Sequence, residues 1–260
     1  MFEYEFMRKA FVVGLLLSTI IPCIGVVIVL KRLSMLGDAL SHTSLAGVAG
    51  GLILGINPVL GSVIFTLISG LSIDVFRKKF PRYSEISIAI TMSAGVGLAG
   101  VLSGFTSNSA GFSSFLFGSI VAITNFELYL VIILSIFVML SFILLYKELM
   151  YISFDETGAK LIGIRVKLIN FIFTILTALT VSIAARTVGA LIISSIMVIP
   201  VACAMRISKS YKWTVIIAII IAIISTIIGL TLSFYYGLKP GGTIVLTSII
   251  FLIISMIIKK

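Results

Sequence analysis

Long apolar runs separated by short polar links dominate the chain. They fall at 10–30, 38–55, 58–75, 85–103, 127–147, 168–185, 188–204, 213–235 and 243–258, to be judged against the ~20 residues that a helix needs to cross a bilayer. The pattern predicts an all-α, polytopic membrane protein of about eight or nine transmembrane helices, with 1–260 forming one membrane domain. The run 188–204 is short and ends at Pro200, and 112–126 has the character of a re-entrant or interfacial piece.

Composition strengthens that picture. Of 260 residues, 60% are hydrophobic and 11% charged, with a mean hydropathy of +1.30 that no soluble core of this length requires. The formal charge of +10 raises the question of nucleic acid. The Lys and Arg residues, however, cluster in links between apolar runs and form no basic face interleaved with aromatics, so no nucleic-acid partner is expected. Cys23 and Cys203 lie far apart inside apolar segments and read as packing residues. No cleavable signal is evident, because Met7 to Lys9 leads into a run long enough to span and without a small-residue cleavage site.

The basic links set an orientation. "FRKKFPRYS" (76–84), the stretch from Lys147 to Lys167, "RISKSYKW" (206–213) and Lys259 with Lys260 should be cytoplasmic by the positive-inside rule. "SGFTSNSAGFSS" (103–114) and "YYGLKPGG" (235–242) fit the outer face. Counting back puts Lys31 and Arg32 inside and the N-terminus outside, an assignment that Arg8 and Lys9 oppose. The longest polar interruption, 146–167, contains Phe154, Asp155, Ala159 and Gly163 in a short helix-like pattern. It reads either as a solvated connection or as a docking element for a cytoplasmic partner.

Self-sufficient chemistry is missing. The chain has no GxxxxGK[ST] phosphate loop, no HExxH and no GxSxG elbow. Its single histidine rules out a metalloprotease pair or bis-histidine haem ligation within one chain. It is expected not to be an enzyme.

That histidine sits in "LGDALSHTSLAGVAGG" (36–51), four residues after Asp38. On a helix the step turns Asp38 and His42 only about 40° apart, onto one face. The neighbouring row, Thr43, Gly47, Gly51 and Gly55, is a stripe of small residues suited to close helix packing. An Asp near the centre of a membrane helix costs on the order of 2.5–3.5 kcal/mol on insertion scales and asks for compensation. A mutual hydrogen bond with His42, or a helix N-cap by Asp38, would supply it without any functional role. A metal path is the sharper reading, since carboxylate plus imidazole suits Zn2+ and tolerates Mn2+ or Fe2+. Two ligands per chain become Asp2His2 if a second copy meets the first across a twofold axis.

Four ordered blocks resemble one known family, the permeases of the ABC-type zinc and manganese importers (ABC-3). They are "RLSMLGDALSHTSLAGVAGG" (32–51), "SFLFGSIVAI" (114–123), "ISFDETGAKLIGI" (152–164) and "VGALIISSIMVIPVACA" (188–204). The resemblance implies a type II ABC importer-like permease in a prokaryotic cell membrane. It also implies a second permease copy as a homodimer partner, cytoplasmic ABC ATPase subunits and an extracytoplasmic metal-binding protein. It further implies that no cofactor is bound permanently and that the divalent metal is cargo. Asp38 and His42 match the family's metal-pathway positions, and Phe154, Asp155, Ala159 and Gly163 match its ATPase-coupling block. Ala46 stands where many members have proline and Thr43 where they have alanine. This variant resembles zinc-associated members more than manganese-associated ones. "SEISIAI" (84–90) matches the family only loosely.

Two other classes compete: a proton- or sodium-coupled secondary transporter using Asp38 and His42 as a relay, and a non-transport scaffold subunit whose 152–164 segment docks a partner.

Overall fold

A computed structural model of the chain describes residues 1, 3–80, 83–105, 116 and 123–258. All regular structure among them is helical: α1 Glu5–Leu30, α2 Leu36–Leu54, α3 Pro58–Lys79, α4 Ser84–Ser103, α5 Asn125–Leu144, α6 Tyr146–Phe154, α7 Glu156–Leu161, α8 Val166–Thr187, a 3-10 turn Ala190–Ile192, α9 Ile193–Ile207, α10 Tyr211–Tyr236 and α11 Pro240–Ile258. Seven of these (α1, α3, α4, α5, α8, α10 and α11) are long and apolar enough to cross a membrane. α2 has the length but carries Asp38 and His42. The block at 114–123 lies outside the described residues except for 116 and 123, and the re-entrant piece expected at 112–126 except for 116 and 123–126.

One expected span changes shape. The run 188–204 does not form a full-length crossing that stops at Pro200. Gly189 takes φ +101, a 3-10 turn follows, and α9 begins only at Ile193 and continues through Pro200 to Ile207. A positive-φ residue cannot extend a right-handed helix, so the apolar run is divided there. Pro200 removes one backbone donor without ending the helix, a substitution that membrane helices tolerate.

The chain divides into two compact units, each assembled from separated stretches. The first holds Met1–Ser34, Ile120–Ile169 and Ser195–Lys260. Within it, Gly25 of α1 lies directly against the backbone carbonyl of Met197 in α9, and Gly229 of α10 admits the Ile244 backbone of α11. The Thr243 hydroxyl donates to the Gly229 carbonyl at 2.8 Å and ties those two helices again. α1 ends in a left-handed residue that is not glycine: Arg32 has φ 57, with Leu33 N–H reaching the Ile28 carbonyl at 2.9 Å and Arg32 N–H the Val29 carbonyl at 3.0 Å. These two bonds form a Schellman closure, with a cation placed at the negative end of the helix.

The second unit holds Met35–Ser119 and Asn170–Ser194, with α2 packed against both α3 and α4. Lipid tails are as apolar as leucine, so close backbone approach rather than hydrophobic burial drives such packing. Thr43 of α2 fills the space that Gly95 of α4 leaves open, and Gly47 of α2 lies against Gly61 of α3. On the other side of α3, Gly70 makes room for Thr174 of α8, and one turn further on the Thr174 hydroxyl donates to the Asp74 carboxylate at 2.8 Å. Arg77 flanks that carboxylate at 3.8 Å.

Candidate functional site

Asp38 and His42 both fall on α2, whose helical form is set by the run 36–54 and closed by Gly55 at φ 68. The residue that caps its N-terminus is Met35, with no side-chain cap bond, and Asp38 stands in the first turn. Asp38 is therefore not the N-cap. No hydrogen bond or ion pair joins it to His42 either, although the two sit one turn apart on the same face. Both simple ways of compensating the pair are thus unused. The helix itself helps the carboxylate, because the unsatisfied N–H groups of a first turn favour an anion there.

The face is only partly covered. Asp38, His42 and Gly50 are half-buried while Ala46 between them is fully buried, and the flanking Leu40, Ser41 and Thr43 are buried. The Ser41 and Thr43 hydroxyls donate to the Asp38 and Leu40 carbonyls, each at 2.9 Å, so neither offers a free donor beside the pair. Among the described residues no group of three or more His, Cys, Asp and Glu side chains is gathered to hold a metal. One chain supplies two candidate ligands and not a closed site.

The small-residue row separates into two kinds. Gly47 and Gly51 face α3, against Gly61 and Pro58 respectively. Gly55 has open space around it and serves as the left-handed end of α2.

The segment around 147–167 is a pair of short helices, α6 and α7, folded by its own polar residues. Asp155 is extended, ending α6 and starting α7, and its carboxylate accepts from Thr157 N–H at 2.9 Å and Gly158 N–H at 3.0 Å. Gly163 takes φ +88, its N–H reaches the Lys160 carbonyl, and Ile164 N–H reaches the Ala159 carbonyl at 3.0 Å. These bonds are a Schellman motif with Ala159 and Gly163 at its fixed positions. Asp155, Ala159 and Gly163 thus shape the segment; Ala159 is buried. Phe154 is exposed, and so are Leu161 at 85% and Ile162 at 63%. The last two are apolar surface that the sequence pattern did not single out; their place just before a Schellman glycine was the available signal. Burial raises the pKa of Tyr146 at the start of α6 above its ordinary value.

Among the described residues all regular structure is helical, seven helices are long and apolar enough to span a membrane, and an ionisable pair on α2 and a separately capped polar segment accompany them: the layout of a multi-span membrane protein. Over residues 3–259 the sequence matches the ABC 3 transport family, and the chain belongs to that family. It is therefore a membrane subunit of an ABC transporter and not the subunit that hydrolyses nucleotide. It is 34% identical to a probable metal transport system membrane protein of Treponema pallidum, over 100% of this chain and 98% of that one. It is 32% identical to the high-affinity zinc uptake system membrane protein ZnuB of Haemophilus influenzae, over 97% of each. With the manganese import system permease protein ScaB of Streptococcus parasanguinis it shares 29% over 98% of this chain and 91% of that one. Among solved structures it resembles PsaBC from Streptococcus pneumoniae in complex with Fab, with a TM-score of 0.87 and 27% identity over 97% of this chain and 91% of that one.

Proposed function

We propose that the chain is the permease of an ATP-driven divalent metal importer and that two copies hand the ion through an Asp38/His42 site at their interface. The observation that carries this reading is the pair itself: in a chain of the ABC 3 transport family, a carboxylate and the only imidazole share a half-buried face of α2 and neither caps the helix nor bonds to the other. Two copies related by a twofold axis bring two carboxylates and two imidazoles together without any further residue. Relatives named for zinc and for manganese support the metal class. Within it we favour zinc, because a four-ligand N2O2 set suits tetrahedral Zn2+ better than Mn2+, which prefers more oxygen ligands. The site is weak by design, since a transported ion must leave as well as enter.

Phe154 with Leu161 and Ile162 forms the surface on which an ATPase subunit docks, and an extracytoplasmic metal-binding protein delivers the ion. Uptake of zinc, manganese and iron, compared side by side in a strain lacking the chain and complemented with wild type, Asp38→Ala or His42→Ala, tests the reading. Loss of zinc uptake in both variants with the ATPase still bound is expected. Wild-type uptake in both, or uptake that a proton gradient drives without nucleotide, would overturn it.

A further inference from the structure

Tyr211, the first residue of α10, lies far along the chain from the 146–164 segment and yet touches it twice. Its ring centroid is 5.2 Å from that of Tyr146 at the start of α6, in tilted contact. It is also 6.2 Å from that of Phe154 at the end of α6, edge to face. Phe142, at the foot of α5, adds a further edge contact to Tyr146 at 6.2 Å. All three distances fall in the range where aromatic pairs attract beyond their buried area. Phe154 is 66% exposed while Tyr211 is only 6% exposed. One edge of the Phe154 ring thus rests on a buried aromatic and the rest of it remains open to a partner.

The rest of the segment is fixed partly by its own caps and partly by α6 packing against α1, with Leu149 and Ile152 buried. Asp155 caps α7 and Gly163 ends it, and both devices act inside the segment without attaching it to a membrane helix. The ring of Tyr211 attaches both ends of α6 to α10, one of the longest helices of the chain. Its buried hydroxyl has no hydrogen-bond partner among the described residues. A polar atom left in that state is a cost, so it is the shape of the ring and not the phenol group that the contact uses.

We propose that Tyr211 is a positioning residue: it seats the 146–164 segment on the foot of α10, so that displacement of the segment by an ATPase subunit moves that helix instead of rocking the segment alone. This rests on the reading of the segment as the ATPase docking element.

The test uses the assembled transporter in proteoliposomes, with ATPase retention, ATP hydrolysis and zinc uptake measured on the same preparation. Tyr211→Leu keeps an apolar side chain and removes the ring, and Tyr211→Phe keeps the ring and removes the orphan hydroxyl. Tyr211→Leu should retain the ATPase and its hydrolysis while zinc moved per ATP falls at least about fivefold, the low end of ordinary coupling factors, and Tyr211→Phe should stay within about twofold of wild type. A wild-type ratio in Tyr211→Leu overturns the proposal, and so does an equal fall in Tyr211→Phe. If Tyr211→Leu does not assemble, Tyr146→Leu removes the neighbouring ring from a less buried position, and a wild-type ratio there overturns it equally. Phe154→Asp with Leu161→Asp reads the docking element by ATPase retention alone: retention in that double variant counts against docking, whereas the Tyr211 ratio reads transmission.

Discussion

Gly47 of α2 and Gly61 of α3 lie backbone to backbone, so that a β-carbon on either would run into the carbonyl oxygen of the other. The contact is rigid on both sides, because a main-chain carbonyl cannot rotate away as a long side chain can. Gly47→Ala or Gly61→Ala should therefore separate α2 from α3 and lower stability by about 1–3 kcal/mol, the usual cost of overpacking. Gly97 of α4, also inside a helix, has nothing within reach of an added methyl. Gly97→Ala should be neutral or raise stability by up to about 1 kcal/mol through helix propensity. Thermal unfolding of the three variants in detergent separates packing from propensity, and equal destabilisation by all three would refute the packing argument.

Asp155 offers a way to tell a folding role from a contact role. Its carboxylate holds the N–H groups of Thr157 and Gly158, and loss of such a cap costs about 0.5–2 kcal/mol. Asp155→Ser restores a capping oxygen without the charge, whereas Asp155→Ala restores neither. Copurification of the ATPase should be weakened by Ala and largely kept by Ser. Equal loss in both would mean that the charge itself meets the partner.

Leu161 and Ile162 lead to the opposite expectation. They are exposed at 85% and 63%, so Leu161→Asp and Ile162→Asp should leave the melting temperature of the isolated chain unchanged to within the effect of about 0.5 kcal/mol ordinary for surface changes. ATPase retention should fall in both, measured by pull-down from solubilised membranes. Retention at wild-type level would move the docking surface elsewhere.

How far such features can be read from sequence depends on what enforces them. Bilayer thickness demands long apolar runs, so α1, α3, α4, α5, α8, α10 and α11 stand out in the pattern. The break before α9 is less visible, because it depends on a single backbone angle at Gly189 within an apolar run. Asp38 and His42 stand out in the pattern because charge in such a run is rare. The row beside them was legible only in part: Gly47 and Gly51 pack, whereas Gly55 ends the helix. In the 152–164 block the pattern directs attention to Phe154, which is exposed, and to Asp155, Ala159 and Gly163, whose work is internal capping. Leu161 and Ile162 emerge only once α7 is folded and one side of it faces outward. Tyr211 carried no signal of its own, since its meaning comes from a ring contact with Phe154 across a long stretch of chain.

Thr174 and Asp74 form a hydrogen bond between α8 and α3 at 2.8 Å, with the second carboxylate oxygen 3.8 Å from Arg77. Thr174→Val keeps the shape and removes the donor, leaving a half-buried carboxylate with one partner fewer. The loss should be about 1.5–3 kcal/mol, the range for a hydrogen bond to a charged group. Asp74→Asn in the Thr174→Val background should recover part of it, because a neutral amide is cheaper to leave under-bonded. A double-mutant cycle on thermal stability measures the coupling, and additive effects would show that the two side chains do not support each other.

The last prediction concerns His42. An imidazole binds a metal only through a neutral nitrogen, so a proton and the ion compete for the same atom. His42→Asp exchanges the imidazole for a second carboxylate, which favours harder ions with more oxygen ligands. That variant should lose zinc uptake by at least about tenfold, since disturbing even the outer partners of a metal ligand costs 10–100-fold. Manganese uptake should fall less, so that the zinc-to-manganese ratio inverts. Transport assays with both metals side by side measure the two effects together. An unchanged metal ratio in His42→Asp would remove His42 from the ion path even if total uptake declined.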